Sequence, residues 1–209
     1  MRILNLDALE RAPVQHEPCD FVIVPEFIRA EAIEAINRDY PSIQAPGNFE
    51  PEALAYGAAF SEMLAELNSP TVKSKFAEKF GINLDGLPLQ MTIRKFCEAS
   101  DGNVHNDSRG KIVTALIYFN KEWVHDGGKL RLLNTPGNIE DYAAEVTPVG
   151  GTLIAFRRSE RSYHGFKPCN GERRSLQMYW VKPKRAERGE EKRVGLRRMI
   201  KRILKKRRR

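Results

Sequence analysis

Past Leu87 the chain breaks into short apolar or β-branched runs, each closed by Gly, Asn, Asp or Pro. They cover residues 89–96, 112–119, 129–133, 145–149, 152–156 and 174–181. Runs this short, evenly spaced and without helices between them, exclude a parallel βαβ winding and predict an antiparallel sandwich or jelly roll. The chain ahead of them is different. Phe21–Val24 reads as a strand ended by Pro25, and Phe27, Ile28, Ala32, Ile33, Ala35 and Ile36 then recur at helical spacing until Tyr40-Pro41. A second helix is predicted over 53–67, with Phe60, Met63, Leu64 and Leu67 on one face. Ser69-Pro70 starts a third over 71–80, and Gly81 ends it. The predicted class is α+β, with N-terminal helices packed on a β-sandwich or jelly-roll core.

Charge divides the chain more sharply than hydropathy does. Residues 182–209 carry 15 Lys and Arg against three Glu, a net +12, so the overall +8 leaves residues 1–181 at −4. A slightly acidic domain over 1–181 therefore carries a cationic extension over 182–209. Three cysteines, Cys19, Cys97 and Cys169, form an odd set with no zinc-like spacing, which argues against a disulfide framework or a thiolate metal site. No secretory leader pattern and no apolar run of membrane-spanning length occurs, so the expected setting is a reducing cytosol.

The histidines are His16, His105, His125 and His164. His105 and Asp107 stand two apart just before a predicted strand, and side chains two apart in an extended segment share a face. An imidazole and a carboxylate side by side are two of the three ligands of a mononuclear iron site, and His164, just past residues 152–156, is a sensible third. Two His and one carboxylate leave three positions of an octahedron open, which suits Fe(II) that must take a bidentate cosubstrate and then O2. A His-x-Asp alone is common, because the carboxylate can cap a turn and the imidazole can sit on the surface. His125, in Val-His-Asp-Gly-Gly, is read as a surface turn residue, and Trp123 as core. In the last run Arg173, Ser175, Gln177 and Tyr179 share one face, and Arg174, Leu176, Met178 and Trp180 the other. A guanidinium and a hydroxyl two apart can grip one carboxylate, and Tyr118 can donate to the same anion.

In this order, His105-x-Asp107, His164, Gly171-x-Arg173-x-Ser175, the strand at 113–123 and the following Gly127-Gly128-Lys-Leu-Arg131 resemble the 2-oxoglutarate/Fe(II) dioxygenases, in their prolyl-4-hydroxylase-like branch. The resemblance runs from about Phe21 to Trp180. It implies a double-stranded β-helix, with iron on His105, Asp107 and His164 and the distal carboxylate of 2-oxoglutarate on Arg173, Tyr118 and Ser175. Some relatives place the basic residue one position later, which would be Arg174; the Gly-x-Arg pattern and strand alternation favour Arg173. The implied reaction is C–H hydroxylation by O2 with release of succinate and CO2, and a prolyl residue of a protein is the favoured substrate over a small molecule. Phe96 stands where oxygen-sensing relatives carry a pocket Tyr, so no role passes to it.

The tail has its own pattern. Leu196, Met199, Ile200, Ile203 and Leu204 make one apolar stripe on a helix otherwise faced by Arg and Lys. Such a helix suits an anionic membrane surface, placing the protein on its inner face, or ribosomal RNA and other polyanions; the plainer reading is a solubilising tail whose apolar face packs on its own domain. Two rival readings remain at this point. One is a polyanion- or membrane-binding protein on an inactive jelly roll; the other is a cupin-like metal enzyme that does not use 2-oxoglutarate.

Overall fold

A computed structural model describes residues 2–183. The N-terminal part comprises α1 (Leu6–Arg11), β1 (Phe21–Val24), α2 (Ala30–Arg38), a 3-10 turn at Pro51–Ala53, α3 (Ala58–Leu67) and α4 (Pro70–Phe80). The remainder holds β2 (Leu89–Cys97), β3 (Lys111–Tyr118), β4 (Leu130–Leu133), β5 (Tyr142–Val146), β6 (Leu153–Arg157), β7 (His164–Gly165) and β8 (Gly171–Val181). Capping explains the helix ends. The Ser69 hydroxyl accepts from Val72 N, Pro70 opens α4, and Gly81 closes it at φ 58, a left-handed conformation. At α3 the cap comes from a distance, because Asp39 Oδ2 accepts from Ala59 N at 2.8 Å.

Two antiparallel sheets form, one of five strands in the order β1-β6-β3-β8-β2 and one of three in the order β5-β4-β7. Period-2 alternation sorts their side chains. On the outer face of the larger sheet Val113, Ala115, Ile117, Leu176, Met178 and Trp180 join Phe60, Phe76 and Ile36 of the helices in one core. On the inner face Phe21, Leu116, Tyr118, Ile154 and Phe156 meet Leu130, Leu132 and Val146 of the smaller sheet in a second. Arg173, Ser175, Gln177 and Tyr179 alternate with the outer set along β8 and so fall on the inner side. The α+β class and the antiparallel sheets thus stand as expected.

Several expectations need correction. Helix α3 starts at Ala58 rather than 53, because Pro51 opens a separate 3-10 turn and Gly57 intervenes. Strand β5 lies at Tyr142–Val146, earlier than 145–149, its ends set by pairing with β4 and not by its own weak alternation. Helix α1 and the two-residue β7 were not predicted at all. Cys97 and Cys169, read as unpaired, form a disulfide, whereas Cys19 is free and buried. The partners are 72 residues apart in sequence, and only the fold brings their Cα atoms to 6.4 Å. That pairing removes the premise of the reducing-cytosol expectation. Among the described residues no helix is long and apolar enough to cross a membrane. The expected basic C-terminal helix lies outside the described residues.

Candidate active site

Two backbone hydrogen bonds build the site. His105 N donates to His164 O at 3.0 Å, and His164 N donates to His105 O at 2.9 Å. This antiparallel bridge extends the smaller sheet beyond β7 and sets the two side chains on one face, with ring centroids 4.4 Å apart. Asp107 follows His105 by two residues, and ligand atoms of all three lie within 4.8 Å of one another. The Asn106 side chain fixes the segment from behind, donating to Ser159 O at 2.7 Å and accepting from the Ser162 hydroxyl at 2.8 Å.

The tautomers can be read from the partners. His105 Nδ1 faces Asn103 O at 2.9 Å, and His164 Nδ1 faces Ser162 O at 3.0 Å. A carbonyl only accepts, so each Nδ1 carries the proton and each Nε2 lone pair is free for a metal. Burial pushes the His164 pKa down to about 4 against the pull of Asp107, which keeps the ring neutral near pH 7. Burial pushes the Asp107 carboxyl up, but His164, Lys111 and Thr114 outweigh it and hold it below the usual carboxylate range. Lys111 Nζ donates to Oδ1 at 2.7 Å and Thr114 Oγ1 to Oδ2 at 2.6 Å. Two imidazoles with free Nε2 lone pairs and an ionised carboxylate on one face are the donor set of a 2-His-1-carboxylate iron site.

A cavity of about 380 Å3 runs from these three residues to Arg173. Arg173 is 1% exposed, yet among the described residues no carboxylate pairs with it. Its Nε donates to Gly128 O at 2.7 Å and its Nη2 to Tyr118 Oη at 3.2 Å, with Phe166 stacked 4.4 Å from the guanidinium carbon. Burial pushes the Tyr118 phenol up, against Arg173, so it stays protonated, and its own O–H remains to be donated. On the same face of β8 the Ser175 hydroxyl is buried without a partner. Asp101 lines the same cavity and feels the Arg173 charge, but it is ion-paired with Arg94. A buried cation without a directly paired anion, beside an idle hydroxyl, is costly unless a ligand completes it. The residues therefore fit a small dicarboxylate with one end on Arg173. Arg174 is excluded from this pocket. It turns to the helices, donating to Asn37 O at 3.1 Å, pairing with Glu172 and stacking on Tyr40.

Comparison with known proteins agrees with this geometry. The 2OG-Fe(II) oxygenase superfamily matches residues 93–182, a stretch holding both histidines, Asp107 and Arg173. Over these residues the chain is similar to the 2OG-Fe(II) oxygenase superfamily. Its cofactors are Fe(II) and 2-oxoglutarate, with O2 as the second cosubstrate, and it is a dioxygenase. No curated protein matches this oxygenase by sequence. Among solved structures it is similar to a prolyl-4-hydroxylase of Pseudomonas putida, at 20% identity and TM-score 0.55, over 85% of this chain and 92% of that one. A viral collagen prolyl hydroxylase of Paramecium Bursaria Chlorella virus-1, solved with 2-oxoglutarate, gives 12% identity and TM-score 0.53 over 78% and 96%. Prolyl 4-hydroxylases from Phytophthora capsici give 16% and 0.52 over 87% of this chain and 64% of theirs. These likenesses establish a shared fold.

Every predicted site residue is accounted for. His105, Asp107 and His164 converge, and Arg173, Tyr118 and Ser175 lie on the inner face of the larger sheet. His125 is exposed in its turn, as read, with Trp123 5.1 Å away. Trp123 is not core, however; it is half-buried and donates to Gly127 O at 2.9 Å. Lys111, Thr114 and Phe166 were missed. Strand alternation with Leu116 and Tyr118 would have put Thr114 on the inner face, but no sequence signal marks Lys111 or Phe166.

Proposed function

We propose that this oxygenase hydroxylates a C–H bond of a prolyl residue in a protein, converting 2-oxoglutarate and O2 to succinate and CO2. One oxygen atom enters the alcohol and the other the succinate. The two sheets are read as a double-stranded β-helix, with residues 1–181 as the catalytic domain and 182–209 as an appendage. The observation that carries the reading is the buried Arg173, ion-paired with no carboxylate among the described residues, in the same cavity as the His-Asp-His face.

Each residue has a defined task. His105 and His164 present Nε2 lone pairs fixed by their carbonyl partners, and Asp107 is kept ionised by Lys111 and Thr114. Arg173 takes the distal carboxylate of 2-oxoglutarate, with Tyr118 and Ser175 donating to it. Phe166, Leu116 and Leu130 supply apolar wall that keeps water from this end. His105, Asp107 and His164 would hold the iron, which would supply the oxidising chemistry. The prolyl assignment rests on the sequence resemblance together with the fold shared with prolyl hydroxylases. The tail, with its +12, would hold the enzyme on an anionic surface, either the inner face of a membrane or ribosomal RNA.

The site is tested without substrate. Fe(II) and then 2-oxoglutarate are added anaerobically, and a visible charge-transfer band is expected that disappears in His105→Ala. Metal retention without a band would overturn the cosubstrate assignment. The substrate is tested with proline-containing peptides, read by mass for one added oxygen. Succinate release that no such peptide stimulates would overturn the prolyl reading.

A further inference from the structure

Eight residues, 165–172, separate the ligand His164 from the clamp Arg173, and the Cys97–Cys169 disulfide ties them to the end of β2. Both sulfurs are well inside, their residues 2% and 7% exposed. The segment presses on the residue that orients the clamp. Gly128 O accepts from Arg173 Nε at 2.7 Å, while Gly128 N donates to Lys167 O at 2.8 Å. Gly128 has φ +80, and a Cβ there would fall 2.8 Å from Cys169 Sγ and 2.4 Å from the Trp123 ring. At Gly127 a Cβ would fall 2.0 Å from Pro168 O. Two glycines thus let residues 167–169 lie directly on the turn whose carbonyl aims the guanidinium, and Phe166 of the same segment stacks on it.

Strand ladders hold the segment's two ends, Gly165 against Arg131 and Gly171 and Glu172 against Cys97 and Phe96, and few other ties hold the stretch between them. Phe166 N donates to Gly102 O at 3.0 Å, Lys167 pairs with the exposed Glu140, and no helix or long strand includes residues 166–170. The covalent link to Cys97 is therefore its firmest anchor outside the strands.

We propose that the Cys97–Cys169 disulfide positions the Arg173 clamp, so that affinity for 2-oxoglutarate depends on the thiol redox state. This rests on the assignment of Arg173 to the cosubstrate. In the switching step a dithiol reductant attacks the bond. The protein S–S breaks, two electrons and two protons leave Cys97 and Cys169 as thiols, and the reductant closes into its own disulfide. The reduced segment loses its anchor, Gly128 is no longer pressed from behind, and Arg173 loses its fixed aim. His105 and Asp107 lie outside the segment, and His164 keeps its bridge to His105, so metal affinity stays.

The test uses full-length protein loaded with Mn(II), which binds as a divalent ion without turnover, and calorimetric titration of 2-oxoglutarate. Oxidised protein is compared with protein reduced by dithiothreitol and desalted, and with Cys97→Ser/Cys169→Ser. The reduced form and the double variant are expected to bind 2-oxoglutarate about tenfold more weakly, with Mn(II) affinity within about twofold. Coupling is reciprocal, so saturating 2-oxoglutarate should lower the reduction potential of the disulfide by the same factor, about 30 mV. Equal affinities in the two redox states overturn the proposal. So does oxidised protein with three free thiols, or unfolding of both the double variant and the reduced wild type, which would make the bond a structural staple. Arg173→Ala in the oxidised state separates the two assignments. If it binds 2-oxoglutarate normally, the clamp reading itself has failed.

Discussion

On the proposed reading, Arg173 is a single side chain both costly to the fold and needed by the site. Its charge is buried with a carbonyl, a phenol and two ring faces for company, and among the described residues no acid is ion-paired with it. Lysine keeps the charge but not the planar fork, so Arg173→Lys should weaken 2-oxoglutarate binding by about 2 kcal/mol, roughly thirtyfold, with metal binding unchanged. Equal binding by the variant in a calorimetric titration would count against the clamp. Thr114 acts on the metal side, donating to Asp107 Oδ2 at 2.6 Å. Thr114→Val keeps the shape and removes the donor, and metal affinity measured by competition with a chelating dye should fall about tenfold. At this scale the sequence was most legible where chemistry and spacing coincide. His105, Asp107 and His164 could be read because few other residues can do their work, and Arg173 was separated from Arg174 by the Gly-x-Arg pattern together with strand alternation. Lys111 was not legible. Its ion pair with Asp107 depends on how the turn at 108–110 folds back, which no periodicity encodes.

At the scale of elements, most strands and helices followed from period and punctuation, whereas those set by a partner did not. β7 has two residues and exists because β4 and His105 pair with it. The disulfide belongs to the same class, since nothing in a one-dimensional pattern brings residue 97 to residue 169. Helix α3 is a further case, its N-terminus capped by Asp39 from the end of α2. The hydrogen bond from Ala59 N, with Arg38 beside it, holds the Asp39 carboxyl below its usual range. A depressed carboxyl contributes stability that is complete above its unfolded pKa near 4 and is lost as pH falls through the lower folded value. Chemical denaturation of wild type and Asp39→Ala should therefore show a stability difference that is constant above about pH 5 and shrinks toward pH 2. A difference independent of pH would mean that the carboxylate is not the cap.

The chain is slightly acidic over residues 1–181, at −4, and strongly cationic over residues 182–209, at +12. Removing residues 184–209 should leave the melting temperature of the core unchanged, because the helices and both sheets close their cores within residues 2–183. The same truncation should abolish co-sedimentation with anionic vesicles or ribosomes, which in the full chain should weaken as salt rises. Loss of soluble protein on truncation would contradict the domain assignment. The chain has one more property that follows from where its ligands sit. His105 and His164 form the edge of the smaller sheet, while Asp107 is fastened through Thr114 to β3 in the middle of the larger one. An ion gripping all three would be a clasp between the two sheets, its binding free energy added to that of holding them together. At a free metal concentration of 100 times Kd the gain is about 2.7 kcal/mol. A melting temperature recorded against the logarithm of metal concentration should then climb along a straight line above Kd and lie flat in His164→Ala, so that thermal denaturation serves as a binding isotherm.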